Sequence, residues 1–173
     1  MNEVFLWIEE TPLSIWVRES TSIVAFPGIL SAHAIGMALA AGISAVFALH
    51  ILGVAAKVPS GEFRRFVPVM WFGFWLNTAS GVLLLIAYPT KALTNPVFYV
   101  KLLFIASAVS LFVFMRNHGF SHEPTAADER LLEEPATPRT LKLAAAASLV
   151  CWAGSITAGR LLAYTYGRLL ASW

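Results

Sequence analysis

The chain is poor in charge. Only 13% of its 173 residues are Asp, Glu, Lys or Arg, about half the share of an ordinary soluble domain. The charges sum to +2 and the basic residues form no stripe, which excludes nucleic acid as a partner. A single cysteine, Cys151, excludes an internal disulfide framework, a cysteine-rich zinc module and a C-x-x-C-H haem attachment. There is no Ser-His-Asp order, no H-E-x-x-H helix and no glycine-rich phosphate loop, so hydrolytic chemistry has no signature here. No carboxylate falls inside the long apolar stretches, which removes the usual mark of a proton-coupled transporter. Catalysis by this chain alone is not expected.

What fills the sequence instead is apolar: 58% of residues are hydrophobic and the mean hydropathy is +0.70. Such a chain has lipid as its main solvent. Positions 20–56 hold no charged residue, a run that as helix would reach roughly 55 Å against about 30 Å of hydrocarbon. Pro27 and Gly28 divide it, leaving a span over about 28–56. Further spans are predicted over about 66–88, over 96–116 with Lys101 inside, and over 141–164 with Arg160 inside. The expected fold is all-α, a bundle of four transmembrane helices in a single domain. Residues 3–19 mix Phe5, Leu6, Trp7, Ile8, Leu13, Ile15 and Trp16 with charges, and Thr11-Pro12 reads as a cap and first turn. They are expected to form an amphipathic segment lying on the interface.

The connections at 58–62 and 89–96 carry Pro, Gly, Ser and Asn, the usual turn formers. The polar loop at 117–140, with Pro124, Pro135 and Pro138, is expected to be flexible. Lys57, Arg64, Arg65, Arg116, Arg130, Arg139 and Lys142 gather on one side of the predicted spans, against Arg18, Lys91 and Arg168 on the other. Positive charge marks the cytoplasmic face, so both termini are expected outside it, as in a multi-pass protein of a bacterial inner membrane. Tyr88, Tyr99, Tyr164 and Tyr166 on the outer side, with Trp71 and Trp75 on the inner, would form aromatic belts. Small residues recur every four positions in Ala32-Gly36-Ala40, Gly73-Asn77-Gly81 and Ala147-Cys151-Ser155-Gly159, stripes that let membrane helices approach closely.

Polar groups within a span are costly and are functional candidates by default. Here they are His33, Asn77, Lys101 and Arg160. Counted from the span ends, His33, Lys101 and Arg160 fall at similar depth in the outer half, on three different helices. Two basic groups beside an imidazole would suit an anionic ligand. A b-type haem fits, with His33 on the iron and Lys101 and Arg160 on the propionates. A quinone headgroup bonded by His33 and Asn77 is the alternative ligand, and snorkelling of the two long basic chains to water is the bland reading. Against haem, no second histidine lies at that depth: His50 is about 25 Å further along the same helix. Met37 is too near His33 on its own helix to face it. His50, His118 and His122 gather on the cytoplasmic side, but a glycine and a polar loop argue against a rigid metal site there.

Thr11-Pro12-Leu13-Ser14, His33-Ala34-Ile35-Gly36 and Leu49-His50-Ile51-Leu52-Gly53 stand in the first third of the chain. Phe72-Gly73-Phe74, Thr78-Ala79-Ser80-Gly81 and Asn95-Pro96-Val97-Phe98 follow, the last leading to Lys101. Trp152 and Ala158-Gly159-Arg160-Leu161-Leu162-Ala163-Tyr164 complete the set. With these motifs the chain resembles uncharacterised four-helix bacterial membrane proteins that are likened to the copper-resistance protein CopD and to small b-type cytochrome subunits. The resemblance runs from Thr11 to about Tyr164 and implies the same fold, with His33, Lys101 and Arg160 at matching positions. It departs where that family carries an Asp-Leu-Arg run and this chain has Ala48-Leu49-His50. Three functions therefore stand open: a subunit serving membrane electron transfer with haem or quinone, a non-catalytic anchoring or scaffold subunit of a larger membrane or periplasmic complex, and CopD-like copper handling. The last is disfavoured by only four methionines, none paired.

Overall fold

The computed structural model describes residues 2–54, 60–119 and 138–170, and every regular element among them is an α-helix. The expected interfacial segment is two short helices, α1 (Asn2–Glu9) and α2 (Pro12–Glu19). They separate at Thr11, whose hydroxyl accepts from the Ser14 N–H at 3.4 Å and donates to the Ile8 carbonyl at 2.7 Å. Pro12 follows in the first turn, so the cap and stop signals act as the sequence implies. Leu6, Trp7, Leu13 and Trp16 are exposed while Ser14 and Val17 are buried, which leaves one apolar side for a headgroup layer.

The first span, α3, runs from Phe26 to Ile51 and stops short of the expected 56. The reason is local. Gly53 adopts φ +92°, its N–H donates to the His50 carbonyl at 2.9 Å, and the Val54 N–H donates to Leu49 at 3.0 Å. That pair of bonds is a Schellman termination, and glycine enters the left-handed region without the penalty a side chain brings. A five-residue helix, α4 (Ser60–Arg64), leads into α5 (Val67–Ala87). The next turn holds another short helix, α6 (Pro89–Leu93), before α7 (Pro96–Gly119). Asn95 caps α7, accepting from the Val97 N–H at 3.0 Å with Pro96 in the first turn. The last helix, α8, covers Arg139–Leu170. The polar loop is thus narrower than expected, and its centre, 120–137, lies outside the described residues.

Four of these helices are long and apolar enough to cross a bilayer. The protein is a multi-pass membrane protein whose helices contact lipid. Lipid tails are as apolar as leucine, so close backbone approach and hydrogen bonds, rather than burial from water, must hold the bundle together. The spans form two antiparallel pairs, α3 with α5 and α7 with α8, joined mainly where α3 meets α8. In the first pair the backbones touch: a Cβ on Gly36 would lie 2.5 Å from the Asn77 nitrogen and 2.7 Å from the Gly73 carbonyl oxygen. In the second pair Gly154 receives the Phe104 ring. The stripes expected on the first two spans are these contacts. On α8 the buried face is Leu141, Ala144, Ala145, Ser148, Trp152, Ser155 and Ala158, while Ala147 is exposed. Of the expected stripe, Ser155 lies on this face, Gly159 seats Lys101 and Cys151 packs at its edge, while the large Trp152 occupies the centre.

An apolar cluster of Phe47, Ile51, Met70, Phe112, Met115 and Leu141 fills the end of the bundle rich in basic residues. A smaller one, Val17, Ile29 and Ala87, seats α2 on the opposite end. There the Thr90 N–H donates to the Glu9 carboxylate at 3.3 Å, tying α1 to α6. Between the two lies a thin layer of Ala40, Ala41, Ala108 and Trp152.

Candidate polar site in the bundle

Three of the four intramembrane candidates meet. His33, in the second turn of α3, turns its ring toward α5, where Gly81 makes room: a Cβ there would stand 3.1 Å from the ring's Cε1. The ring Nδ1 is 3.0 Å from the Asn77 carbonyl oxygen and 3.2 Å from the Ser80 hydroxyl. A carbonyl only accepts, so this shorter contact assigns the proton to Nδ1, and the Asn77 amide nitrogen, 3.3 Å from Nδ1, then spends its protons elsewhere. Ser80 spends its own proton on the Leu76 carbonyl at 2.6 Å, which leaves its oxygen able to accept as well. The Asn77 side-chain amide donates to the His33 carbonyl at 2.8 Å, a bond between two helix backbones and side chains that fixes their register. Asn77 and Ser80 are buried.

With Nδ1 committed, Nε2 is the ring's acceptor. It faces α7, and the Lys101 ammonium donates to it across 3.4 Å, a long bond. Lys101 reaches this position by lying over Gly159 of α8; a Cβ at 159 would be 3.8 Å from its Cε and 3.9 Å from its Nζ. The bond joins the two helix pairs. No carboxylate lies within ion-pairing range of Lys101 among the described residues, and the amine makes no other hydrogen bond there. Two of its three N–H donors are therefore available to a ligand.

Arg160 behaves differently. It shares the level of Lys101 through its neighbour Gly159, but its side chain is exposed and, among the described residues, no hydrogen bond or ion pair connects it to the site. Position along a helix gave its depth correctly; one residue of rotation, about 100°, turns it away from Lys101. Ser80 is the member of the site that sequence reasoning missed. Its spacing of three from Asn77, on a face already marked by Gly73 and Gly81, was the available signal.

His50 and His118, grouped by the sequence at one end of the spans, do not converge. The His50 ring stacks on Phe63 with centroids 4.6 Å apart. His118 bonds the Phe114 carbonyl of its own helix at 2.9 Å. His122 lies outside the described residues, and among those described no group of three potential metal ligands occurs. No family model, curated protein or solved structure matches the chain.

Proposed function

We propose that this chain is a small integral-membrane subunit that holds the headgroup of a quinone-class molecule at His33, Asn77 and Lys101, serving electron transfer near the outer face of a bacterial inner membrane. The observation that carries the reading is the Lys101–His33 contact. It brings a cation with unused donors against an imidazole in a carboxylate-free part of the bundle. A quinone carbonyl oxygen is a hydrogen-bond acceptor soluble in lipid, and Lys101 would donate to it while His33 fixes the amine. A quinone supplies reversible two-electron, two-proton chemistry when bound. The chain's own part is to orient it, with Asn77 and Ser80 keeping the imidazole in one tautomer.

The same geometry suits haem less well. Iron would need the His33 Nε2, which Lys101 engages, and Gly81 packs the other edge of the ring against α5. Arg160, the second expected propionate partner, points away from Lys101.

The test is titration of a short-tailed benzoquinone and a short-tailed naphthoquinone into the protein in detergent micelles, followed by quenching of tryptophan fluorescence. A hydrogen bond from a charged donor contributes about 1.5–3 kcal/mol, so Lys101→Met should weaken binding roughly ten- to a hundredfold. Arg160→Met should bind as the unsubstituted protein does. Equal affinity for Lys101→Met refutes the assignment. Absence of any quinone binding moves the chain to the anchoring subunits, and a reduced b-type absorption band with one iron per chain moves it to the cytochromes.

A further inference from the structure

At the end of the bundle opposite the polar site, a groove of about 380 Å³ lies between the C-cap of α3 and the first two turns of α8. Its walls are Leu52 from α3 and Arg139, Lys142, Leu143 and Ala146 from α8. That volume is at the lower end of the roughly 300–1,000 Å³ of small-molecule sites. The lining is almost wholly apolar, so the two basic residues give their aliphatic stems to the wall and hold their charged heads at its mouth. The wall continues along the outside of the bundle. Lys142, Ala146, Val150 and Ala153 follow one another at helical spacing on α8 and all are exposed. On α3 the same spacing leads back from Leu52 through Leu49 and Ala45 to Gly42, where a Cβ would meet nothing within 4 Å. The groove therefore opens into a shallow apolar furrow beside the contact of α3 with α8.

The charge at the mouth is unbalanced. Arg139 and Lys142 stand in the first turn of α8, where the helix dipole is already positive and an acidic residue would be the stabilising choice. That turn holds no acidic residue. Among the described residues neither side chain has an ion pair, and Glu62, the carboxylate at this end, is 3.7 Å from Arg65 instead. Two cations on a positive helix end call for an anion. The furrow below them calls for an apolar remainder. A soluble anion would leave the furrow unused, and a neutral lipid would leave both cations uncompensated. One molecule that satisfies both demands is a lipid with a negative headgroup.

We propose that this groove binds one anionic phospholipid from the leaflet at the basic end of the bundle, with its phosphate between Arg139 and Lys142 and an acyl chain in the furrow past Leu52, Leu143 and Ala146. The planar arginine fork suits two phosphate oxygens, and the lysine adds a point charge. A lipid seated there touches both α3 and α8, whose contact joins the two helix pairs. The site stands apart from the quinone reading, since it lies at the other end of the spans.

The test is native mass spectrometry of the full chain in a neutral detergent, titrated with phosphatidylglycerol and with phosphatidylcholine of the same chain length. The unsubstituted protein should bind its first phosphatidylglycerol about tenfold or more tighter than phosphatidylcholine. A basic residue beside an anionic headgroup contributes a factor of about five, so Arg139→Gln together with Lys142→Gln should weaken phosphatidylglycerol roughly twenty-five-fold and abolish the preference. Arg64→Gln together with Arg65→Gln removes the same charge at the same end and should keep it. Ala146→Phe fills the groove, leaves both cations in place and should also lose it. Arg139, Lys142 and Ala146 are all exposed, so these substitutions spare the core. Equal losses from the two charge-removing pairs would mean diffuse attraction and refute the site. A preference that survives Ala146→Phe and is competed by inorganic phosphate would mean that the cations hold a soluble anion, and the lipid assignment is wrong. No preference in the unsubstituted protein would mean that the cations are countered within the chain, by the acidic residues at 123–134, and overturns the proposal.

Discussion

Two glycines on α3 should respond to the same substitution in opposite ways. A Cβ at Gly36 would sit 2.5 Å from the Asn77 nitrogen, 2.7 Å from the Gly73 oxygen and 2.9 Å from the Asn77 Cα. All three are backbone atoms, so no side chain can swing aside. Restoring an ordinary contact of 3.4 Å from 2.5 Å separates α3 and α5 locally by about 0.9 Å. The His33 Nδ1 bond to the Asn77 carbonyl, 3.0 Å long, would then stretch to about 3.9 Å, beyond hydrogen-bonding range. Overpacking of this kind costs about 1–3 kcal/mol, and loss of a helix-to-helix hydrogen bond in a membrane adds on the order of 0.6 kcal/mol. A Cβ at Gly42 meets nothing within 4 Å, so Gly42→Ala should be neutral or stabilise by about 0.5–1 kcal/mol through helix propensity. The assay is unfolding in mixed micelles by denaturing detergent, followed by circular dichroism, with quinone titration on the same samples. Gly36→Ala should lower the midpoint and weaken binding, and Gly42→Ala should do neither. Equal midpoints for the two variants would refute the close-contact geometry of the first helix pair.

Two more outcomes follow from the second pair. Asn95 is 1% exposed, donates to the Thr165 hydroxyl at 2.8 Å and caps α7; Asn95→Ala should destabilise by about 1–2 kcal/mol, visible as a lower detergent midpoint and faster amide exchange in the first turn of α7. At Gly154 a Cβ would meet the Phe104 ring at 2.9 Å. Gly154→Ala should therefore destabilise, and Phe104→Leu in the same chain should recover at least half the loss; no recovery would show that the strain lies elsewhere.

The bundle was legible because the bilayer writes its requirements plainly. Twenty or so apolar residues per span, basic residues gathered at one end and breakers between spans are one-dimensional signals, and they place the four helices with ends off by up to six residues. The errors have physical causes. The first span was drawn too long because hydropathy continues through Leu52, Val54 and Ala55, whereas the helix is ended by the conformation of Gly53. The small-residue stripe on α8 holds at Ser155 and Gly159 and fails at Ala147, because alanine is frequent on both faces and only tertiary packing tells which face holds Trp152. Depth along a helix put His33, Lys101 and Arg160 on one level, and the first two do meet. Arg160 was grouped with them because depth carries no azimuth. Ser155 stood in a small-residue stripe and Ser44 and Ser148 went unremarked, since a buried serine and an exposed one look alike in a sequence.

The polar site sits where the two helix pairs meet. The first helix pair is held by direct backbone approach, at Gly36 with Gly73, and the second by the Phe104 ring seated on Gly154. Between the pairs, Gly119 of α7 meets the Phe47 and Ile51 side chains of α3 at ordinary contact distance, and the polar link at the far end is a long bond from Lys101 to His33. Two rigid pairs joined by a weak polar link can separate slightly at that end without unfolding, since the apolar cluster of Phe47, Phe112, Met115 and Leu141 clamps the other end. A headgroup inserted between Lys101 and His33 would replace a long hydrogen bond by shorter ones and leave every intrapair contact intact.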